Sequence, residues 1–244
     1  MSFELEIYNI SELRDMAKKM SLPCRRSKTD MIKDISKAFQ EYLNYKHNKI
    51  DKYEKIRKIG TKGKEGITYL VKNREGLEFA MKTFRKSKSS DKLLNEYNLQ
   101  KRASLFGICP SVIEHDTVSK YIVMEKMEYH LLDLMKKQNG NLNRTQQFRI
   151  IEIFKKLDEA KIFHGDANLR NYMIKNNKIY IIDFGFAKII DRKLCKKYAN
   201  NQLNMTIMIL GFVLKLKEYK CPSSSWKYLK KYISTKSRKK FNIN

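Results

Sequence analysis

The stretch FHGDANLRNYMIKNNKIYIIDFG, Phe163 to Gly185, decides how this chain is read. Asp166 is followed five places later by Asn171, and then by Asp183 inside Asp-Phe-Gly. Two short apolar runs lie between, Tyr172-Met173-Ile174 and Ile179-Tyr180-Ile181-Ile182. Asn176-Asn177 separates them, a pair that favours a tight turn. The pattern predicts loop, strand, turn, strand, loop. A hairpin brings its two ends side by side, so Asp166 and Asn171 come close to Asp183. Three oxygen-bearing side chains around one point suit a hard divalent cation such as Mg²⁺.

Working upstream, Lys82 sits in FAMKTF with apolar neighbours on both sides. A lysine on a buried strand is unusual unless it is paired. Glu96, in LLNEYNL of the next predicted helix, is the candidate partner. A buried ion pair adds little to stability and is more often kept for function. Held by Glu96, the Lys82 ammonium could grip nucleotide phosphates; the alternative is a lysine that snorkels from a strand edge. Gly60, Gly63 and Gly66 lie between two predicted strands. Glycines let a backbone approach phosphate closely, and they also serve a plain hairpin turn. Asp166, in a loop after His164, could orient a hydroxyl and accept its proton during phosphoryl transfer. Asn171 and Asp183 would hold the metal, Phe184 would pack beneath, and Gly185 would allow the sharp turn.

The chain has 244 residues, room for one medium domain and a small extra module. Its four cysteines, Cys24, Cys109, Cys195 and Cys221, form no Cys-x-x-Cys pair. That argues against a zinc module or disulfide scaffold and fits a reducing compartment. MSFELEIYNI lacks the long apolar core of a signal peptide. The longest apolar run, Met205 to Leu214, is too short to span a bilayer and reads as a buried helix, so no membrane partner is expected. The net charge is +26, and residues 1–50 hold only 10 of the 52 Lys/Arg against 7 of the 26 Asp/Glu. The surplus after residue 50 predicts attraction to polyanions or acidic proteins, or else a solubilising surface.

Along the chain, SELRDMAKKM opens with a serine cap and spaces Leu13, Met16, Ala17 and Met20 as a helix. SKTDMIKDISKAFQEYL opens at Ser27 or Thr29 and places Met31, Ile32, Ile35, Phe39 and Leu43 on one face. This helical hairpin, residues 1–45, resembles the SAP module in Leu13, Leu22-Pro23, Lys28 and Met31-Ile32, with Ser21 standing where glycine is usual. The resemblance implies DNA or other nucleic acid as a partner, with Arg25, Arg26 and Lys28 as phosphate contacts. A hairpin that merely docks on the main domain is the other reading. From Tyr53 the pattern predicts strands YEKIRKIG, GITYLVKN, LEFAMKTF, SVIEHDTV and YIVMEKM, with a helix from Ser90 between the third and fourth. Helices are then expected over His130–Lys137, Thr145–Lys161, Leu203–Leu216 and Trp226–Ile233, with a loose basic tail, STKSRKKFNIN.

Taken together, Ala80-Met81-Lys82, Glu96, His164-Gly165-Asp166 through Asn171, and Asp183-Phe184-Gly185 resemble the eukaryotic-type protein kinase family over about residues 53–220. The wording AMKTF, IVMEKM and IIDFGFAK looks most like the small kinases of large DNA viruses. The resemblance implies an α+β, two-lobed fold: a domain over 50–244, with a β-rich lobe 50–127 and a helical lobe 128–244. It implies Mg²⁺ and ATP, with Ile59, Gly60, Gly63, Gly66 and Thr68 over the nucleotide and backbone groups of Glu125 and Met127 holding the adenine. It implies transfer to Ser/Thr hydroxyls of a protein substrate, an acidic one given the charge. Location is expected to be intracellular, cytoplasmic or nuclear, in a host cell or virion if viral.

The departures are specific. Gly60 and Gly63 are two residues apart where the family has one, and Thr68 replaces the usual valine. Gly165 replaces the arginine that pairs with an activation-loop phosphate, and no Ser or Thr lies between Asp183 and Asn204. Activity without activation-loop phosphorylation is expected. Asn168 takes the place of a lysine near the transferred phosphate, and Arg170 is the candidate to supply that charge. No Ala-Pro-Glu follows, and Thr206 lies where the buried helix offers an aspartate. His-Gly-Asp is also the wording of small-molecule phosphotransferases. The rival readings are therefore a small-molecule hydroxyl kinase, an inactive pseudokinase scaffold that binds DNA, and a nucleic-acid-binding protein with secondary kinase activity.

Overall fold

Asn9, two residues before the expected serine, caps the first helix, α1 (Ile10–Lys19). Its side-chain oxygen accepts from the N–H groups of Ser11 and Glu12, while the Glu12 carboxylate accepts from the Asn9 N–H at 2.8 Å. This capping box needs Glu or Gln three places after the cap. Asn9 has Glu12 there, whereas Ser11 has Arg14. The computed structural model describes residues 5–50, 52–59 and 65–243, with the backbone alone over 43–50. In it the chain divides into two units, Met1–Glu54 with Lys72–Leu77, and Lys55–Val71 with Glu78–Asn244.

In the first unit α2 (Lys28–Ile50) starts at Ser27, whose hydroxyl accepts from the Asp30 N–H, and runs past the expected end at Leu43. Leu5, Leu13, Ala17, Met31 and Ile35 form its core. Met20 is exposed because α1 stops there and Ser21 turns the chain with φ +57°. Of the three basic residues expected to touch phosphate, Arg25 pairs with Asp34 and Lys28 donates to the Glu6 carbonyl. Arg26 is exposed.

The β-rich part is a five-stranded sheet of β1 (Tyr53–Lys58), β2 (Gly66–Asn73), β3 (Glu78–Phe84), β4 (Val112–Asp116) and β5 (Tyr121–Glu125), in the order β1-β2-β3-β5-β4. Antiparallel pairing sets Lys82 opposite Ile122. Between β3 and β4 runs α3 (Ser90–Ser104), capped by Ser89 and not by Ser90. That cap puts Leu93, Glu96, Gln100 and Ala103 on one helical face, and all four are buried.

The rest is mainly helical, as expected for an α+β chain of this class. After β6 (Tyr129–His130) come α4 (Leu131–Lys137), α5 (Arg144–Glu159), β7 (Ile162–Phe163), β8 (Tyr172–Lys175), β9 (Lys178–Ile181) and β10 (Lys188–Ile189). Then follow α6 (Arg192–Tyr198), a π turn over Asn204–Met208, α7 (Ile209–Glu218) and α8 (Thr235–Lys240). The hairpin β8–β9 turns at Asn176-Asn177, both with positive φ, and pairs Tyr172 with Ile181. Phe154, Tyr172 and Phe212 meet edge to face at 5.0–6.5 Å and centre the core.

Two expectations need correction. Trp226–Ile233 is no α-helix; two short 3₁₀ turns, Ser223–Trp226 and Leu229–Tyr232, span the region. Tertiary partners take the backbone groups a helix would use: the Gln147 amide donates to the Ser224 carbonyl and its oxygen accepts from the Tyr228 N–H. The basic tail is not loose. Ser234 caps α8, Ile243 is buried, and the Lys217 ammonium donates to the carbonyls of Phe241 and Asn242.

Candidate active site

The antiparallel register of β3 delivers Lys82 beneath the sheet, and the buried face of α3 delivers Glu96 to meet it. The Lys82 ammonium donates to Glu96 Oε1 at 2.6 Å and to Asp183 Oδ1 at 2.8 Å. Burial opposes its charge, but Glu96 and Asp183 outweigh burial and raise its pKa above the ordinary lysine value. At Asp183 burial likewise opposes ionisation, and Lys82 outweighs it, so the carboxyl pKa is lowered. Three elements distant in sequence thus converge on one lysine.

The hairpin closes the other side. Asp166 Oδ2 accepts from the Asn171 amide at 2.8 Å, and its Oδ1 accepts from the Asn168 N–H at 3.0 Å. The Ile182 N–H donates to the Asn171 carbonyl at 2.8 Å, which holds Asn171 beside Asp183. The sharp turn falls on Asp183 itself, at φ +67°, and not on Gly185 as expected. A left-handed aspartate is the kind of local strain that functional sites retain. A Cβ at Gly185 would lie 2.8 Å from Glu65 Oε2, the far end of a flexible side chain that can give way. Phe184 is fully buried and meets the His164 ring at 5.0 Å.

His164 is buried between two carbonyls, Ile182 O at 3.0 Å and Asp166 O at 3.2 Å, and burial lowers its pKa. Gly165 adopts φ +79°, and a Cβ there would come within 3.0 Å of the Phe186 carbonyl oxygen. The anchor of the loop that carries Asp166 is Asn204, which the sequence reading missed. Its Oδ1 accepts from the His164 N–H, and its amide donates to Asp158 Oδ1 and the Ile162 carbonyl. Thr206, singled out for that place, instead donates to the Gln202 carbonyl. Asn168 uses its side chain to cap its own turn, accepting from the Arg170 N–H, and Arg170 is exposed.

A cavity of 130 Å³ lies beside this cluster, lined by Ile59, Thr68, Ala80, Met127, Met173 and Ile182, with Lys82, Glu96, Glu125 and Asp183 also on its wall. Apolar faces with charge at one end suit a flat ring carrying an anionic tail. The Glu125 N–H is taken by the Ser111 carbonyl, and its carboxylate by Lys175. Gly66 does not line the cavity; it opens β2 where a Cβ would meet the Thr83 carbonyl oxygen at 1.9 Å. Gly60 and Gly63 lie outside the described residues. A larger hollow of 560 Å³ on α5 offers Glu152 as its carboxylate, already held by Arg149 and Lys156.

Among the described residues no group of three His, Cys, Asp or Glu side chains could hold a metal. A cation at this point would have one carboxylate, Asp183, and one amide, Asn171. Mg²⁺ binds in this way, through one or two protein oxygens with phosphates and water completing its shell. The donor set therefore fits. No helix among the described residues is long and apolar enough to cross a membrane.

Family models match residues 53–207 to the protein kinase domain. Among curated proteins, the chain is 31% identical to the KEOPS complex subunit Bud32 of Pyrococcus abyssi over 127 residues, covering 51% of this chain and 58% of that protein. It is 30% identical over 96 residues to a protein of Acanthamoeba polyphaga mimivirus named as a serine/threonine-protein kinase, 38% of this chain and 15% of the relative. It is 26% identical over 155 residues to cyclin-dependent kinase-like 1 of Caenorhabditis elegans, 58% of this chain and 43% of the relative. The matched part thus spans between about a seventh and three-fifths of these relatives' lengths.

Proposed function

The chain belongs to the protein kinase domain family, and from that premise we propose that it transfers the γ-phosphate of Mg²⁺-ATP to Ser/Thr hydroxyls of protein substrates. The observation that carries this reading is Lys82, held between Glu96 and Asp183 at the charged end of an apolar cavity. The adenine would occupy the slot between Ala80, Met127, Met173 and Ile182, with the Glu125 carbonyl and the Met127 N–H as its polar contacts. Lys82 would hold the phosphates, already charged and already aimed. Asp183 and Asn171 would hold Mg²⁺, which supplies charge neutralisation on the phosphates. Asp166, its carboxylate oriented by Asn168 and Asn171, would position the acceptor hydroxyl and receive its proton. Rate acceleration then comes from positioning and from fixed charges that need no rearrangement.

The mimivirus relative supports the Ser/Thr assignment, and the net charge of +26 supports an acidic substrate. Labelled ATP, Mg²⁺ and a mixture of casein, histone and the protein itself, run beside Asp183→Ala, test the proposal. Label on protein with the wild type and none with the variant is expected. Label on small hydroxylated metabolites alone would move the assignment to a small-molecule kinase. Mg²⁺-ATP binding without any transfer would move it to a scaffold.

A further inference from the structure

Glu96 serves two lysines. Its Oε1 accepts from Lys82, while its Oε2 accepts from Lys88 at 2.5 Å. Lys88 lies in the loop between β3 and α3, only 7% exposed, with its ammonium 4.3 Å from the Phe84 ring centroid. Its second partner is Glu65 Oε2 at 2.8 Å. Glu65 precedes β2, and the same oxygen stands against Gly185, the residue two after Asp183. Five charges therefore form a chain: Glu65, Lys88, Glu96, Lys82 and Asp183.

The members differ in freedom. Glu96 is 2% exposed and held from both sides, whereas the Glu65 side chain is 40% exposed. With Glu65 in place the chain of charges is net negative by one. That is a poor host for a polyphosphate, because like charges repel strongly where water is scarce. With Glu65 swung outward the remaining four are balanced, and the Lys88 ammonium is left with an open donor facing Gly185. A phosphate oxygen offers that donor the same kind of charge-assisted bond that the carboxylate did.

We propose that Lys88 is a second phosphate-binding lysine and that Glu65 is its placeholder, exchanged for a nucleotide phosphate on binding. The inference rests on the nucleotide reading above. The exchange accounts for a lysine pair where a single lysine would suffice to align Glu96. The Arg85 N–H donates to the Glu65 carbonyl at 3.0 Å, so the Glu65 backbone stays anchored while its side chain moves.

The test compares Kd for ATP and for adenosine in the full chain by calorimetry, for wild type, Glu65→Gln, Lys88→Met and Lys88→Arg. Glu65→Gln is expected to tighten ATP by about 5-fold and leave adenosine within about 2-fold. Lys88→Met is expected to weaken ATP by about 10-fold without changing adenosine, with Lys88→Arg recovering most of the loss. A merely structural role would move both ligands together. Unchanged or weaker ATP binding by Glu65→Gln overturns the exchange even if Lys88→Met fails to fold, since Glu65 is half exposed and tolerates the change. Wild type that binds ATP more tightly than adenosine while Glu65→Gln leaves ATP unchanged overturns the exchange alone. Wild type that binds neither overturns the nucleotide reading as well.

Discussion

Lys82 and Glu96 form a pair whose halves leave different things behind. Lys82→Met leaves Glu96 still neutralised by Lys88, so the fold should survive while kcat falls by about 10²-fold or more. Glu96→Ala instead removes the carboxylate that two buried ammonium groups share, leaving Lys82 with Asp183 and Lys88 with Glu65. A lost partner in a buried pair costs up to about 3–5 kcal/mol. Urea unfolding beside kinase assays separates the two outcomes. His164 sets the acid limit. Its folded pKa lies below that of the unfolded chain, so the unfolded state takes the proton first as pH falls. Stability is then full above about pH 6.5 and declines below it. The lowered carboxyl of Asp183 adds stability that is present above about pH 4 and is lost as pH falls through its folded pKa. The raised Lys82 adds stability that is full below about pH 10 and is lost as pH rises through its folded pKa. The urea midpoint should therefore drop between pH 7 and 5, and His164→Gln should flatten that slope.

At the scale of elements, the π turn before α7 does what its sequence does not advertise. Asn204 joins α5, β7 and the loop that carries Asp166 through Asp158, Ile162 and His164. Burial pushes the Asp158 carboxyl up, against three N–H donors from Asn204 and Met205 that hold it down. Asn204→Ala removes one of the three donors to Asp158 and the acceptor for the buried His164 N–H, a group that costs about 1–3 kcal/mol unsatisfied. A fall in Tm together with loss of activity is the expected result. The C-terminal helix is a second case. Ending the chain at Ser234 strips α8, uncovers the site of Ile243 and frees Lys217, so a loss of about 2–4 kcal/mol is expected in urea. An unchanged midpoint would return the tail to the loose segment its composition suggests.

Across the whole molecule, the segment after Asp183 is held without a phosphate. β10 pairs with β7, the Ile190 N–H donates to the Lys161 carbonyl, and Asp191 caps α6. With Gly165 in place of arginine, the residue before Asp166 has no guanidinium to offer a phosphorylated side chain. Phosphatase treatment should therefore leave activity within about 2-fold of the untreated protein. Loss of activity that returns on phosphorylation would overturn this and point to Tyr198 or a site elsewhere.

The aspartates and the asparagine of the site were readable from the chain because a two-residue turn and paired apolar runs place Asp166, Asn171 and Asp183 together by local geometry alone. Lys82 and Glu96 were readable for a related reason: a charged residue within an apolar period needs a partner, and one stood on the next helix. The α+β division followed from the same periods. Helix starts slipped by two places at Asn9, where the capping box with Glu12 decides. They slipped by one at Ser89, where adjacent serines could both cap and the packed face of the helix chooses. Lys88, Glu65 and Asn204 carry no such signal. Their partners lie 8 to 46 residues away, across sheet, loop and helix. A hydrogen bond over that distance obeys no period, so the charge chain and the anchor of the Asp166 loop exist only once the elements have packed.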